Sequence, residues 1–180
     1  DEKNMTFHLY NDAVSYIMAV LPNGHMAQLY FGRKIRHKED FSYLLETAPR
    51  PMASYFFEGE RTLSLEHIRQ EYGVYGNTDY RQPAVEIIHR DGSRVCDFRY
   101  HSHEISAGKP QLPGLPATYT EDGSEAETLN VVLKDPVSGI SLYLNYTIFC
   151  RGGIIARSVR LSNEGTKEVH LAKVMSLCMD

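Results

Sequence analysis

Apolar and polar positions along this chain alternate in short runs. Segments rich in β-branched and aromatic residues recur at 7–10, 14–21, 26–31, 84–89, 94–105, 117–119, 127–133, 140–149, 154–162 and 169–179, and each is strand-sized rather than helix-sized. The clearest is 140–149. There Leu142, Leu144, Tyr146 and Ile148 alternate with Ser141, Tyr143, Asn145 and Thr147, the period of two that a sheet shows when one face is buried. The even set is predicted to face the core, alongside alternate residues of 154–161.

Turn chemistry separates these runs. Asn23-Gly24, Asp91-Gly92 and Asn163-Glu-Gly165 supply positions that tolerate positive φ, and each predicts an antiparallel hairpin between the runs it joins. Asp135-Pro136 breaks a ladder that restarts after Val137-Ser-Gly139, predicting a fourth hairpin. A hairpin turn also accounts for Gly152-Gly153. Helical signal is confined to one turn over 64–71, with Ser64 as its cap, stopped by Gly73 and Gly76. The expected architecture is an all-β, large antiparallel β-sandwich of two sheets with little helix, residues 1–180 forming a single domain. The longest departure from strand texture is 38–59, a length that in a compact domain usually marks function or a covered surface. The strand-like run 169–179 reaches the last residues without a polar tail and implies that the protein continues.

Composition narrows the function. The chain has 180 residues, is 42% hydrophobic and 23% charged, and carries a net charge of -4. It offers no long-range attraction to phosphate backbones or anionic lipid, and no run long enough for a membrane-spanning helix. Nucleic acid and membrane are therefore not expected partners, and a cytoplasmic location is expected. Cys96, Cys150 and Cys178 are an odd, widely spaced set, read as reduced and mostly buried thiols rather than a disulfide framework or metal knuckle. His101 and His103 fall at i and i+2, on one face of a strand. They find no further ligands nearby in sequence, so no metal and no cofactor is expected.

Two loops stand out. One is Gln70-Glu-Tyr72 running into Gly76-Asn-Thr-Asp-Tyr-Arg81, in which Tyr72, Tyr75, Asn77, Asp79, Tyr80 and Arg81 combine large rings, local hydrogen-bonding side chains and a cationic fork, a mixture found at interfaces and sugar-binding edges as well as in packed loops. The other is Leu112-Pro-Gly-Leu-Pro-Ala-Thr-Tyr119. Carboxylate pairs such as Glu71 with Asp79, or Glu125 with Glu127, are read as structural or solvated rather than catalytic. No nucleophile elbow or phosphate loop is present, and no catalytic residue is assigned.

With Phe7-His-Leu9, Leu29-Tyr-Phe-Gly32, Asp97-Phe-Arg-Tyr100, Gly108-Lys-Pro110, Glu125-Ala-Glu-Thr-Leu129 and Arg157-Ser-x-Arg160, these loops form a collinear series. The series resembles the N-terminal β-sandwich domain of bacterial α-galactosidases of glycoside hydrolase family 36. The resemblance implies a domain that precedes a (β/α)8 catalytic barrel, in enzymes that release terminal α-galactose from melibiose, raffinose and related oligosaccharides with retention. The nucleophile lies in a Lys-Trp-Asp-type motif of that barrel, and this chain has no tryptophan.

The same resemblance implies a galactosyl oligosaccharide substrate and two protein partners: the chain's own C-terminal barrel, and other copies in a homo-oligomer, a tetramer. It aligns Leu45-Glu-Thr-Ala48 and Pro51 with a loop that reaches a neighbouring subunit's sugar pocket, making Glu46 a substrate-binding residue. The competing reading is a free-standing carbohydrate-binding or protein-interaction sandwich that uses the tyrosine loop as its own site.

Overall fold

The computed structural model describes residues 3–49, 59–77, 79–114 and 116–179. Among these, nine strands form: β1 (Thr6–Tyr10), β2 (Val14–Val20), β3 (Met26–Arg33), β4 (Val85–His89), β5 (Arg99–Ala107), β6 (Ala126–Lys134), β7 (Ile140–Phe149), β8 (Ile155–Asn163) and β9 (Val169–Val174). A single 3-10 turn, Ser42–Leu44, is the helical content of the described residues. The fold is all-β and antiparallel, as the alternation predicts.

The strands divide into three hydrogen-bonded sheets rather than two. β5-β6-β7-β8 form one layer, while β1-β2-β3 and β4-β9 form two smaller sheets. The main core lies between them. Leu129, Val131 and Leu133 of β6 and Leu142, Leu144, Tyr146 and Ile148 of β7 meet Phe7, Leu9, Tyr16, Met18, Val85 and Ile87 from the smaller sheets. The even set of β7 thus faces the core as expected, and Ile155, Val159 and Leu161 of β8 pack beside it. A second core lies behind β1-β2-β3. Ile17, Leu21, Ala27 and Leu29 on that face are covered by Phe41, Leu63, Leu65 and Ile68. Burial on both faces explains why β2 reads as a nearly unbroken apolar run.

Two predicted turns form without making hairpins. Gly92 closes on His89 with φ near 83°, but β4 pairs with β9, and residues 94–98 are not a strand. The Cys96 amide donates instead to the Tyr75 carbonyl at 3.0 Å, and a Cβ on Gly76 would stand 3.0 Å from the Cys96 carbonyl oxygen. The segment is therefore drawn to the tyrosine loop. Likewise the turn after Asn163 packs against the β6–β7 turn: Glu164 N–H donates to the Gly139 carbonyl at 3.0 Å. A side chain at Gly165 would overlap the Ser138 carbonyl. Turn residues dictate that the chain reverses, whereas burial decides which strand it pairs with.

The hairpins β2–β3, β6–β7 and β7–β8 form as predicted. Residues 117–119 and 175–179 lie outside the strands. A bulge at His101 turns His101 and His103 out of the same-face arrangement that a regular strand would give. Of the cysteines, Cys96 is buried and its thiol is pushed up to about 12 by burial, which makes it unreactive. Cys150, expected inside, is exposed because it falls in the β7–β8 turn.

Candidate functional site

The tyrosine loop is built around its two charged residues. Asp79 is buried and accepts from Arg81 Nε at 2.9 Å, from the Arg81 amide at 3.1 Å and from Gln70 Nε2. The Arg81 guanidinium also donates to the Leu65 and Ile68 carbonyls, each at 2.8 Å. The fork thus anchors the 64–68 turn against the loop. Asn77 adopts φ near 51°, a left-handed conformation that asparagine tolerates. Its amide donates to Asp97 at 2.9 Å, and Asp97 also pairs with His25 and Arg99.

Tyr72 is buried, and its hydroxyl donates to the Met175 carbonyl at 2.7 Å. Tyr75 is half-buried. Tyr80, at 86% exposure, presents its ring to solvent. Of the six loop residues, Tyr72, Asn77, Asp79 and Arg81 clamp structure and Tyr80 projects.

Glu71, immediately before this loop, occupies a different environment. Fully buried, it accepts from Tyr16 Oη at 2.6 Å and Tyr146 Oη at 2.8 Å, and lies 2.9 Å from Arg157 Nη2. Arg157 is itself 7% exposed and lies over the Tyr146 ring. Burial pushes the Glu71 carboxyl above the usual carboxylate range, against the pull of Arg157 and the two hydroxyls. Burial and the adjacent Glu71 likewise raise the Tyr16 and Tyr146 hydroxyls. A carboxylate so enclosed is a crosslink between the layers, with no opening for a substrate.

Sequence reading separates Glu71 from Arg157 by 86 positions and joins Glu71 to Asp79 instead. Their pairing was signalled only by both residues lying in the collinear motifs. Glu125 accepts from the Glu121 amide at 2.8 Å, and Glu127 is exposed at the start of β6.

Glu46 lies on the other side of the β1-β2-β3 sheet, just after the 3-10 turn. Phe41, 1% exposed, plugs the second core, and Leu44 and Leu45 pack against it. The Ala48 amide donates to the Thr62 carbonyl at 3.1 Å, fixing the base of the excursion. Between these anchors Glu46 is exposed. Residues 50–58, including Pro51, lie outside the described residues. The fold thus anchors the segment on either side of Glu46 while leaving that residue exposed.

The model of the Glycosyl hydrolase family 36 N-terminal domain matches residues 24–180. The chain belongs to this family. Alpha-galactosidase AgaA of Geobacillus stearothermophilus is 40% identical over 178 residues, covering 97% of this chain and 24% of the relative. Alpha-galactosidase 1 of Pediococcus pentosaceus is 38% identical over 187 residues, covering 100% of this chain and 25% of the relative. Among solved structures, the alpha-galactosidase from Lactobacillus brevis superposes with a TM-score of 0.93 at 31% identity, over 98% of this chain and 24% of that one. AgaA in complex with raffinose superposes with a TM-score of 0.89 at 38% identity, over 96% and 24%. The chain therefore spans about a quarter of the length of these family 36 relatives. Among the described residues no helix is long and apolar enough to cross a membrane.

Proposed function

We propose that residues 1–180 are one domain, the N-terminal, non-catalytic domain of a cytoplasmic retaining α-galactosidase. The enzyme removes terminal α-galactosyl residues from oligosaccharides such as melibiose and raffinose, using a catalytic barrel that follows this domain. The observation that carries the reading is the end-to-end similarity to α-galactosidases of four times its length. The enclosed state of Glu71 and Asp79 supports it, since retaining hydrolysis needs two accessible carboxyl groups about 5 to 5.5 Å apart. The sequence downstream of residue 180 tests it directly. A barrel with a Lys-Trp-Asp-type motif supports the enzyme; a stop codon supports a free-standing binding sandwich instead. The 180-residue chain alone is expected to leave an aryl α-galactoside unhydrolysed, and turnover abolished by one Asp or Glu substitution within it would overturn the assignment.

The domain supports assembly of a homo-tetramer and lends Glu46 to the sugar pocket of a neighbouring subunit. An exposed carboxylate on a segment anchored at Phe41 and Ala48 is suited to accept hydrogen bonds from galactose hydroxyls. Such a charge-assisted contact contributes on the order of 1.5 to 3 kcal/mol. In the full-length enzyme Glu46→Ala is expected to lower kcat/KM on raffinose by roughly ten- to a hundredfold, mainly through KM, with the oligomer intact. Equal efficiencies of wild type and variant would remove Glu46 from the pocket.

A further inference from the structure

The segment from Lys34 to Leu45 crosses the back of β1 and β2 as a strap, and its contact with β1 runs through two imidazoles. His8 Nδ1 and His37 Nδ1 are 3.1 Å apart, and the ring centroids are 5.4 Å apart with planes inclined by 21°. That is the separation reached when both nitrogens lie on the line joining the centroids, so the N–H of one ring points at the lone pair of the other. This geometry suits a shared proton. A metal ion would instead need both lone pairs to converge on a point off that line.

The far side of His8 is fixed as well. Its Nε2 is 2.9 Å from Ser15 Oγ, and the same hydroxyl oxygen accepts from the Ile35 amide of the strap at 3.0 Å. The edge of Phe41 meets the His8 ring at 5.1 Å and 77°. One imidazole thus touches three anchoring points of the strap: His37, Ile35 through Ser15, and Phe41.

We propose that the His8–His37 pair is a proton-controlled clasp, which holds the strap on β1 while the pair carries no more than one added proton and releases it when both rings are protonated. The neutral pair keeps its bond, with one ring donating. One added proton keeps it too, because the imidazolium donates to the neutral ring. A second proton leaves two donors and two positive charges facing each other at this distance, and the bond is lost.

The surroundings do not rescue the doubly charged state. Tyr10 of the same strand lies beside His8 with its ring tilted by 39°, and Ser15 comes from β2. The strap supplies Lys34 over the Tyr10 ring, a further positive charge. His103 of β5 and Glu127 of β6 face the pair from across a cavity of about 540 Å³. Burial, and then His37, push the His8 imidazole down from 6.5 to about 4. The folded-state pKa lies below that of the opened state, so opening takes up the proton. The clasp's contribution to stability is therefore complete above pH 6.5 and lost as pH falls from there towards 4. Glu46 follows the strap directly, but the clasp stands independently of any role for Glu46.

The test is hydrogen exchange on the natural full-length protein between pH 7.5 and 4.5, corrected for intrinsic rates. Protection of amides within 34–45 is expected to fall by up to about tenfold per pH unit below pH 6.5, while β6 and β7 keep theirs. His8→Gln should abolish that slope. In the wild type, an NMR titration should find the His8 ring neutral down to about pH 4. Three results would each overturn the clasp: strap and β6–β7 losing protection together, the slope surviving in His8→Gln, or His8 titrating near 6.5 with the strap still protected.

Discussion

Arg157→Met is expected to destabilise the domain by about 3 to 5 kcal/mol, because it strands a fully buried carboxylate without its counter-charge. The two tyrosine hydroxyls that remain can donate to Glu71 but cannot neutralise it. Part of the deficit should be recovered by proton uptake. With Arg157 gone, the folded-state pKa of Glu71 stands further above its unfolded value. Stability is then fully present below the unfolded pKa and is lost as pH rises through the folded one.

The gap between wild type and variant in urea should consequently narrow between pH 7.5 and pH 5. Glu71→Leu combined with Arg157→Met should cost less than the sum of the single changes, since the pair is removed together. A single variant within about 0.5 kcal/mol of wild type would show that this crosslink contributes little.

Leu144→Ala comes next, with an expected cost of about 2 to 5 kcal/mol. Leu144 is 0% exposed and sits between Val131 of β6 and Val159 of β8 in the registered ladder. β7 is itself held by β6 and β8 on either side, so the space vacated by the isobutyl group cannot collapse freely. Tyr143, one position away, points outward. Its ring carries the Arg160 guanidinium at 3.6 Å, and its hydroxyl donates to Glu164 at 3.1 Å. Tyr143→Ala should therefore cost about 1 kcal/mol or less. Equal urea midpoints for the two variants would mean that the register of β7 is wrong.

Much of the protein follows from its sequence. The period of two in 140–149 determines which face of β7 is buried, because successive side chains of a strand must point to opposite sides. Asn23-Gly24 and Asp135-Pro136 determine where hairpins close. The collinear loop motifs carry the family, and with it the expectation that the catalytic carboxylates lie elsewhere.

The remaining features join distant parts of the chain, and no local pattern encodes them. Asp91-Gly92 forces a reversal, yet β4 pairs with β9, because apolar burial and not the turn selects the partner. The alternation in β5 predicts His101 and His103 together, but one inserted residue at a bulge separates them. Glu71 reads as a loop carboxylate beside Asp79. Only the stacking of β2, β7 and β8 brings Tyr16, Tyr146 and Arg157 around it, and burial then gives that charge pair its weight. His8 and His37 are unremarkable in the sequence, 29 positions apart. The strap that lays one against the other is held by Phe41 and Ile35, through contacts that exist only once the second core has formed.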